Sequence, residues 1–282
     1  MEYYKMRLCT SPELIPYAEY LLQAHHISAW SEETYRTRQC LVFYLPADGA
    51  AEDILERLSL KLKGLEETKL SKRKIRALRW EKSWKRSFKT ISIGTIVIKP
   101  PWRAYKASPG EAVIEIEPGM AFGTGDHHTT SLCIRLLQSY VKPGMKVIDL
   151  GTGSALLAMA AIALGASSVT AVDHDPVALT EAQTNVIRMG MGNRIALVRD
   201  EVTDVPPGSY DLAVGNLFLR EIAMLLEKRC PPLRQGGVFI GSGITTDQRP
   251  QVEKALLGPH FALLSWQTGG IWDAFAVRKE GP

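Results

Sequence analysis

Val147-Ile148-Asp149-Leu150-Gly151-Thr152-Gly153-Ser154-Ala155 is the stretch on which the fold turns. It reads as a buried-type strand, Lys146–Leu150, running through a tight turn into a helical pattern over Leu156–Leu164. Gly151 and Gly153 let the backbone pass close to a ligand where a Cβ would clash. The next buried-type strand, Val169–Asp173, ends in Asp173, 22 residues beyond Gly151. In a doubly wound sheet those two strand ends are neighbours, so Asp173 is placed to accept hydrogen bonds from a ribose. A Gly-x-Gly alone is an ordinary turn; joined to an acid at this spacing it points to a nucleotide-like ligand.

Two ligands fit, a nicotinamide dinucleotide and S-adenosyl-L-methionine. The dinucleotide fingerprint asks for a glycine at its sixth position, where this chain has Leu156. Its pyrophosphate also needs the helix N-terminus as an anion site, whereas Asp149 puts an acid two residues before the first glycine. A loop that approaches a cationic methionine moiety suits that acid better, which favours a methyltransferase.

Outward from this core, Ile195–Val198, Asp211–Asn216 and Val238–Ser242 read as further strands. Helical patterns at Pro176–Met189, Leu219–Lys228 and Asp247–Leu257 lie between them. Such alternation implies a parallel sheet covered on both faces. Phe261–Gln267, the turn Thr268-Gly269-Gly270 and Ile271–Val277 make a terminal hairpin, so the last strand should run antiparallel. The expected fold is α/β: a doubly wound, mostly parallel seven-stranded sheet preceded by a small α+β unit. Residues 1–68 form that unit, with strands at Tyr3–Leu8, Ile27–Tyr35 and Cys40–Leu45. Its helices follow Ser11-Pro12 and Asp48-Gly49. Ile91–Ile98 and Ala112–Glu117 read as strands opening the catalytic domain, residues 90–282.

The chain of 282 residues carries a net charge of +4, and its distribution is uneven. Residues 69–89 hold 10 basic groups and one acidic group, with Trp80, Trp84 and Phe88 interleaved. This reads as a basic, tryptophan-rich interdomain linker, with a nucleic-acid contact as a further candidate role, which the resemblance given below would make a weak contact with ribosomal RNA. No apolar run approaches the roughly 20 residues that span a bilayer, and the start has no signal-peptide pattern. Cys9, Cys40, Cys133 and Cys230 lie far apart without a CxxC pair. Reduced thiols, a cytoplasmic location and no metal site are therefore expected.

Two more segments converge on the same sheet edge. Glu117–Thr130 is a glycine-rich loop feeding a helix. There Phe122 is a candidate cover for the cofactor and Thr130 a partner for its amino-acid end. Gly123, Thr124 and His127 are candidate neighbours, and His127 is weighed both as a base and as a fixer of the loop. Asn216, at the end of a buried strand before Leu217-Phe218, sits where doubly wound folds place their chemistry. Its plainer role would be to cap the next helix.

Together these residues resemble the ribosomal protein L-eleven methyltransferases, the PrmA type. Pro118–Thr130 (PGMAFGTGDHHTT) is similar to that family's PGxAFGTGxHxTT signature. Val147–Ala155, Ala171–Asp173 and Val214–Leu217 are similar to its glycine loop, its acidic element and its VANI element. Trp80–Phe88 resembles its interdomain segment, and Trp272 a tryptophan near its C-terminus. The resemblance implies a class I S-adenosylmethionine-dependent fold behind a substrate-recognition domain. It also implies N-methylation of lysine side chains and the α-amine of ribosomal protein L-eleven, and cofactor contacts from Thr130, Gly151, Asp173 and Asn216. A monomer is expected, with no membrane partner. The chain departs from the pattern at Asp126, His128, Ala155 and Leu217-Phe218-Leu219, and Ala155 is expected to crowd the cofactor.

Methyl transfer to an amine is an in-line displacement in which the protein supplies alignment. Asn216, with the adjacent Leu217 carbonyl, is placed to accept hydrogen bonds from the amine and to aim its lone pair. A nucleic-acid methyltransferase would account for the basic segment, yet Asn216-Leu217-Phe218-Leu219 lacks the Pro-Pro-aromatic pattern of base-amine methylases. A non-catalytic cofactor-binding interaction protein is the third reading.

Overall fold

Alternation of side chains across the strands gives the N-terminal residues a sheet with one apolar face. In the computed structural model β1 (Glu2–Thr10), β2 (Trp30–Tyr35), β3 (Arg38–Pro46) and β4 (Lys69–Arg76) form an antiparallel sheet in the order β2-β3-β1-β4. Met6 lies opposite Phe43 and Leu8 opposite Leu41. These four pack with Leu22 of the Ile15–Ala24 helix and Leu58 of the Gly49–Leu62 helix into one buried cluster. The structure describes residues 2–25, 27, 30–35, 38–47, 49–62, 68–76, 88–117, 127–205, 210–227, 232–256 and 260–281.

Two sequence expectations fail in this unit. Lys69–Arg76, read as the start of a linker, is instead a strand, with Leu70 opposite Leu8 and Lys74 opposite Tyr4. It is an edge strand, and a charged edge keeps a sheet from pairing with other chains. Lys72 there is ion-paired with Glu52 at 2.8 Å and lies over the Tyr4 ring at 4.5 Å. The rest of the basic segment, residues 77–87 with Trp80 and Trp84, lies outside the described residues. Cys9 and Cys40, expected as free thiols, are joined as a disulfide. They are direct partners in the β1–β3 register with Cα atoms 4.0 Å apart, a proximity that a separation of 31 residues conceals. Cys133 is free and buried.

The chain divides into two units, Met1–Lys89 and Thr90–Pro282. The second opens with a three-stranded sheet, β5 (Ile91–Ile93), β6 (Ile96–Lys99) and β7 (Ala112–Glu115). The single strand expected over Ile91–Ile98 is thus a hairpin. Gly94 turns with φ +58, and Gln138 closes the turn by accepting from the Thr95 N–H at 2.8 Å.

The main sheet runs β10-β9-β8-β11-β12-β14-β13. Its strands are β8 (Lys146–Leu150), β9 (Ser168–Asp173), β10 (Ile195–Arg199), β11 (Tyr210–Asn216), β12 (Leu233–Thr245), β13 (Phe261–Gly269) and β14 (Trp272–Lys279). The first five are parallel, and β14 runs antiparallel to both β12 and β13. The central strands are near-continuous apolar runs because helices cover both faces. The Leu156–Ala163 helix is apolar all round and buried at every residue but Ala163, as its position against β8 and β9 requires. Phe275 of β14 meets Phe239 edge-on and stacks on Trp266, with ring centroids 5.8 Å and 5.3 Å apart, which fastens the hairpin to the sheet. No described helix is long and apolar enough to cross a membrane.

Candidate active site

Strand order reverses around β8: β9 leaves on one side and β11 on the other, so the loops after these strands part at their C-terminal ends. Gly151 enters the first loop at φ +70, and its N–H and that of Thr152 both donate to Val172 O at 2.9 Å. A Cβ on Gly151 would stand 2.7 Å from Leu217 Cδ2, so the bare Cα is what admits the Leu217 side chain. The Gly153 N–H donates to Asp173 Oδ2 at 2.9 Å, and the Asp175 N–H to Oδ1 at 3.0 Å. Asp173 therefore links the glycine loop to the end of β9. Ala155 sits at φ +66 and, among the described residues, is the one non-glycine in the left-handed region. A side chain in this region strains the backbone itself.

Asp149 lies completely buried beneath this loop. Its Oδ2 accepts from Thr152 Oγ1 at 2.6 Å and from the Ala158 N–H at 3.0 Å, which ties strand, loop and helix together. Its Oδ1 is buried with no hydrogen-bond partner. Burial above all, with the nearby Asp173 charge adding to it, pushes the carboxyl up from 3.8 to about 7 against the pull of Thr152 and Ala158.

The opposite wall is built from the helix His128–Tyr140 and the end of β11. His127 is the N-cap of that helix: its Nδ1 accepts from the Thr129 N–H at 3.3 Å and lies 2.6 Å from Thr129 Oγ1. The imidazole is buried edge-on against Trp272, with centroids 4.7 Å apart. Burial, with a smaller contribution from His128, lowers it to about 3. An imidazole so reluctant to take a proton does not suit the role of base for an alkylammonium of pKa about 10.4. Asn216 reaches across from β11, and its Nδ2 donates to Thr129 Oγ1 at 3.0 Å and to Thr130 Oγ1 at 3.5 Å. Asn216 Oδ1 is buried with no hydrogen-bond partner. A Cβ on Gly243, at φ +100, would lie 2.2 Å from Leu217 O and 3.0 Å from Asn216 Oδ1, so both oxygens face the same bare Cα. Behind them Asp273 is fully buried and accepts from Trp266 Nε1 at 2.8 Å and Thr268 Oγ1 at 2.7 Å.

His127, Thr130, Asp149, Gly151, Gly153, Asp173, Asn216 and Leu217 are thus brought to one edge of the sheet. Phe122, Gly123 and Thr124, with Asp126, lie outside the described residues. Sequence reasoning missed Thr129, Thr152 and Gly243. The HHTT run holds a signal for Thr129, since a residue two past an N-cap offers its N–H to the capping side chain.

The site is rich in acceptors: the carboxylates Asp149 and Asp173, the Asn216 amide oxygen and the Leu217 carbonyl. That donor–acceptor balance suits ribose hydroxyls and a cationic ligand and opposes a pyrophosphate. With the terminal antiparallel hairpin on a doubly wound sheet, it defines a class I methyltransferase that uses S-adenosyl-L-methionine. The family model "Ribosomal protein L11 methyltransferase (PrmA)" matches residues 15–280, and the chain belongs to that family. It is 40% identical to the ribosomal protein L11 methyltransferase of Pelotomaculum thermopropionicum over 83% of this chain and 78% of that one. It is 36% identical to the one of an Exiguobacterium species over 88% and 82%. The crystal structure of a ribosomal protein L11 methylase from Lactobacillus delbrueckii subsp. bulgaricus matches with a TM-score of 0.63 and 32% identity. That match covers 68% of this chain and 99% of the other.

Proposed function

We propose that the protein N-methylates amino groups of ribosomal protein L11, lysine side chains and the α-amine, in the cytoplasm and as a monomer. The relatives' names supply the substrate, and the acceptor-lined corner at Asn216 supports an amine there. Residues 1–68, with strand β4, are assigned to substrate recognition. An RNA contact falls to the exposed Lys69 and Arg73 of β4 rather than to Lys72, which Glu52 holds.

When bound, the cofactor supplies a methyl group activated on a sulfonium. Asp173 is assigned to its ribose, Thr130 to its amino-acid end and the Gly151–Gly153 backbone to close approach. Asp149 acts from beneath the loop, by charge and by holding Thr152. Asn216 Oδ1 and Leu217 O accept the N–H groups of the neutral amine, which leaves its lone pair free to point at the methyl group. The ammonium form has no lone pair, so its proton goes to water before transfer. The observation that carries this reading is that Asn216 Oδ1, at the C-terminal end of β11, has no hydrogen-bond partner. Radiolabelled cofactor offered to ribosomal protein L11 and to ribosomal RNA tests it. Label is expected in the protein, and label in RNA alone contradicts the reading.

A further inference from the structure

Hydrogen bonds have direction, and around His127 that direction is determined. A backbone N–H can only donate, so the bond from the Thr129 N–H to His127 Nδ1 at 3.3 Å requires a lone pair on Nδ1. The neutral ring therefore carries its proton on Nε2. Thr129 Oγ1 stands 2.6 Å from the same Nδ1, and two lone pairs would repel at that distance, so the hydroxyl proton points at the ring. Thr129 has no second proton to give. Toward Asn216, 3.0 Å away, it presents only a lone pair, and only the NH₂ end of the amide fits. The Asn216 carbonyl is then turned the other way, toward Gly243 and Leu217 O.

We propose that His127 is a positioning residue: as helix cap it sets the proton order Asn216→Thr129→His127, and so makes Asn216 offer the substrate an acceptor rather than a donor. This rests on the amine reading of the site given above. With the other tautomer, Nδ1–H would donate to Thr129, freeing the hydroxyl to donate to Asn216 Oδ1. The amide would turn over and present N–H groups to the amine. Those would bind the amine's lone pair, the electron pair that must form the new C–N bond. The burial that keeps the ring neutral, and its packing against Trp272, hold the productive arrangement in place.

The test has two arms on the full chain. Long-range proton–nitrogen NMR of the cofactor-free protein should show His127 as the Nε2–H tautomer, with the Asn216 side-chain NH₂ protons close to the Thr129 methyl. An Nδ1–H ring or an imidazolium near neutral pH overturns the proposal. In the second arm Thr129→Val keeps the N–H cap and the side-chain volume but removes the hydroxyl. It should lower kcat for the protein substrate about tenfold, the factor one ordinary hydrogen bond is worth, while cofactor affinity by calorimetry stays within about twofold. Made separately in the otherwise unchanged protein, Thr129→Ser, which keeps the hydroxyl, and His127→Asn, whose Oδ1 can accept where Nδ1 does, should each retain most of the wild-type kcat. A merely structural cap predicts an unchanged kcat for Thr129→Val, and that result also overturns the proposal. If the wild-type protein transfers no label to any amine, the amine reading of the site fails instead. The NMR arm still decides the tautomer.

Discussion

Replacing Asp149 by Asn should stabilise the cofactor-free protein above pH 7 while weakening its hold on the cofactor. Burial raises this carboxyl from 3.8 to about 7, with Asp173 adding to the rise and the bonds from Thr152 and Ala158 opposing it. The folded protein therefore retains a proton that the unfolded chain releases between about pH 4 and pH 7. Native proton affinity exceeds unfolded affinity, so the penalty is absent below about pH 4, grows as pH rises to about 7 and is constant above. At about 1.4 kcal/mol for each tenfold difference in proton affinity, the full penalty is on the order of 4 kcal/mol. Asn has no charge to bury, and its Oδ1 can accept from Thr152 and Ala158 as Asp149 Oδ2 does. Its NH₂ then falls where Asp149 Oδ1 has no partner, a cost of about 1–3 kcal/mol that does not vary with pH. His127, held neutral by burial, contributes the opposite slope below about pH 6.5, but it does so in both proteins and cancels in their difference. Urea unfolding of both proteins at closely spaced pH values isolates that difference. It should move toward the variant by roughly 3–4 kcal/mol between pH 4.5 and pH 8. A difference that stays flat with pH would refute the reasoning.

Ala155→Gly removes a left-handed strain worth about 1–2 kcal/mol and gives back part of it through chain entropy and a lost buried methyl. A rise of at most about 1 kcal/mol in unfolding free energy is expected, with cofactor affinity by calorimetry unchanged. Gly151→Ala adds a Cβ 2.7 Å from Leu217 Cδ2 at φ +70. It should cost about 1–3 kcal/mol in urea unfolding and weaken cofactor binding through the displaced loop. In protein purified without reductant, thiol titration under denaturant should find two thiols rather than four, because Cys9 and Cys40 are bonded. Reducing that bond, with 31 residues of separation, should lower unfolding free energy by about 3–4 kcal/mol.

What could be read from the sequence followed from local chemistry. Lys146–Leu150 is a strand over the residues expected, because Val147, Ile148 and Leu150 form a short apolar run, broken only by Asp149, that Gly151 ends. The terminal hairpin was signalled by Gly269-Gly270 between two apolar runs. What was missed depends on partners distant in the chain. The strand Lys69–Arg76 looks like a charged linker because an edge strand shows its charge to water, and only its pairing with β1 reveals it. The Cys9–Cys40 bond follows from the β1–β3 register, which no local motif announces. Asp149 was legible as an acid beside a glycine loop, but not as a buried group with one oxygen unpaired. Asn216 was legible by its place at a strand end. Thr129, which determines how the amide faces, was hidden because it acts through a hydrogen bond spanning 87 residues.

Mass spectrometry of ribosomal protein L11 after incubation with this protein and S-adenosyl-L-methionine tests the central claim most directly. Methyl groups on lysine side chains or the α-amine, lost in Asn216→Ala with cofactor binding retained, are the predicted result. An unmodified L11, or methylation confined to ribosomal RNA offered in the same reaction, would contradict it.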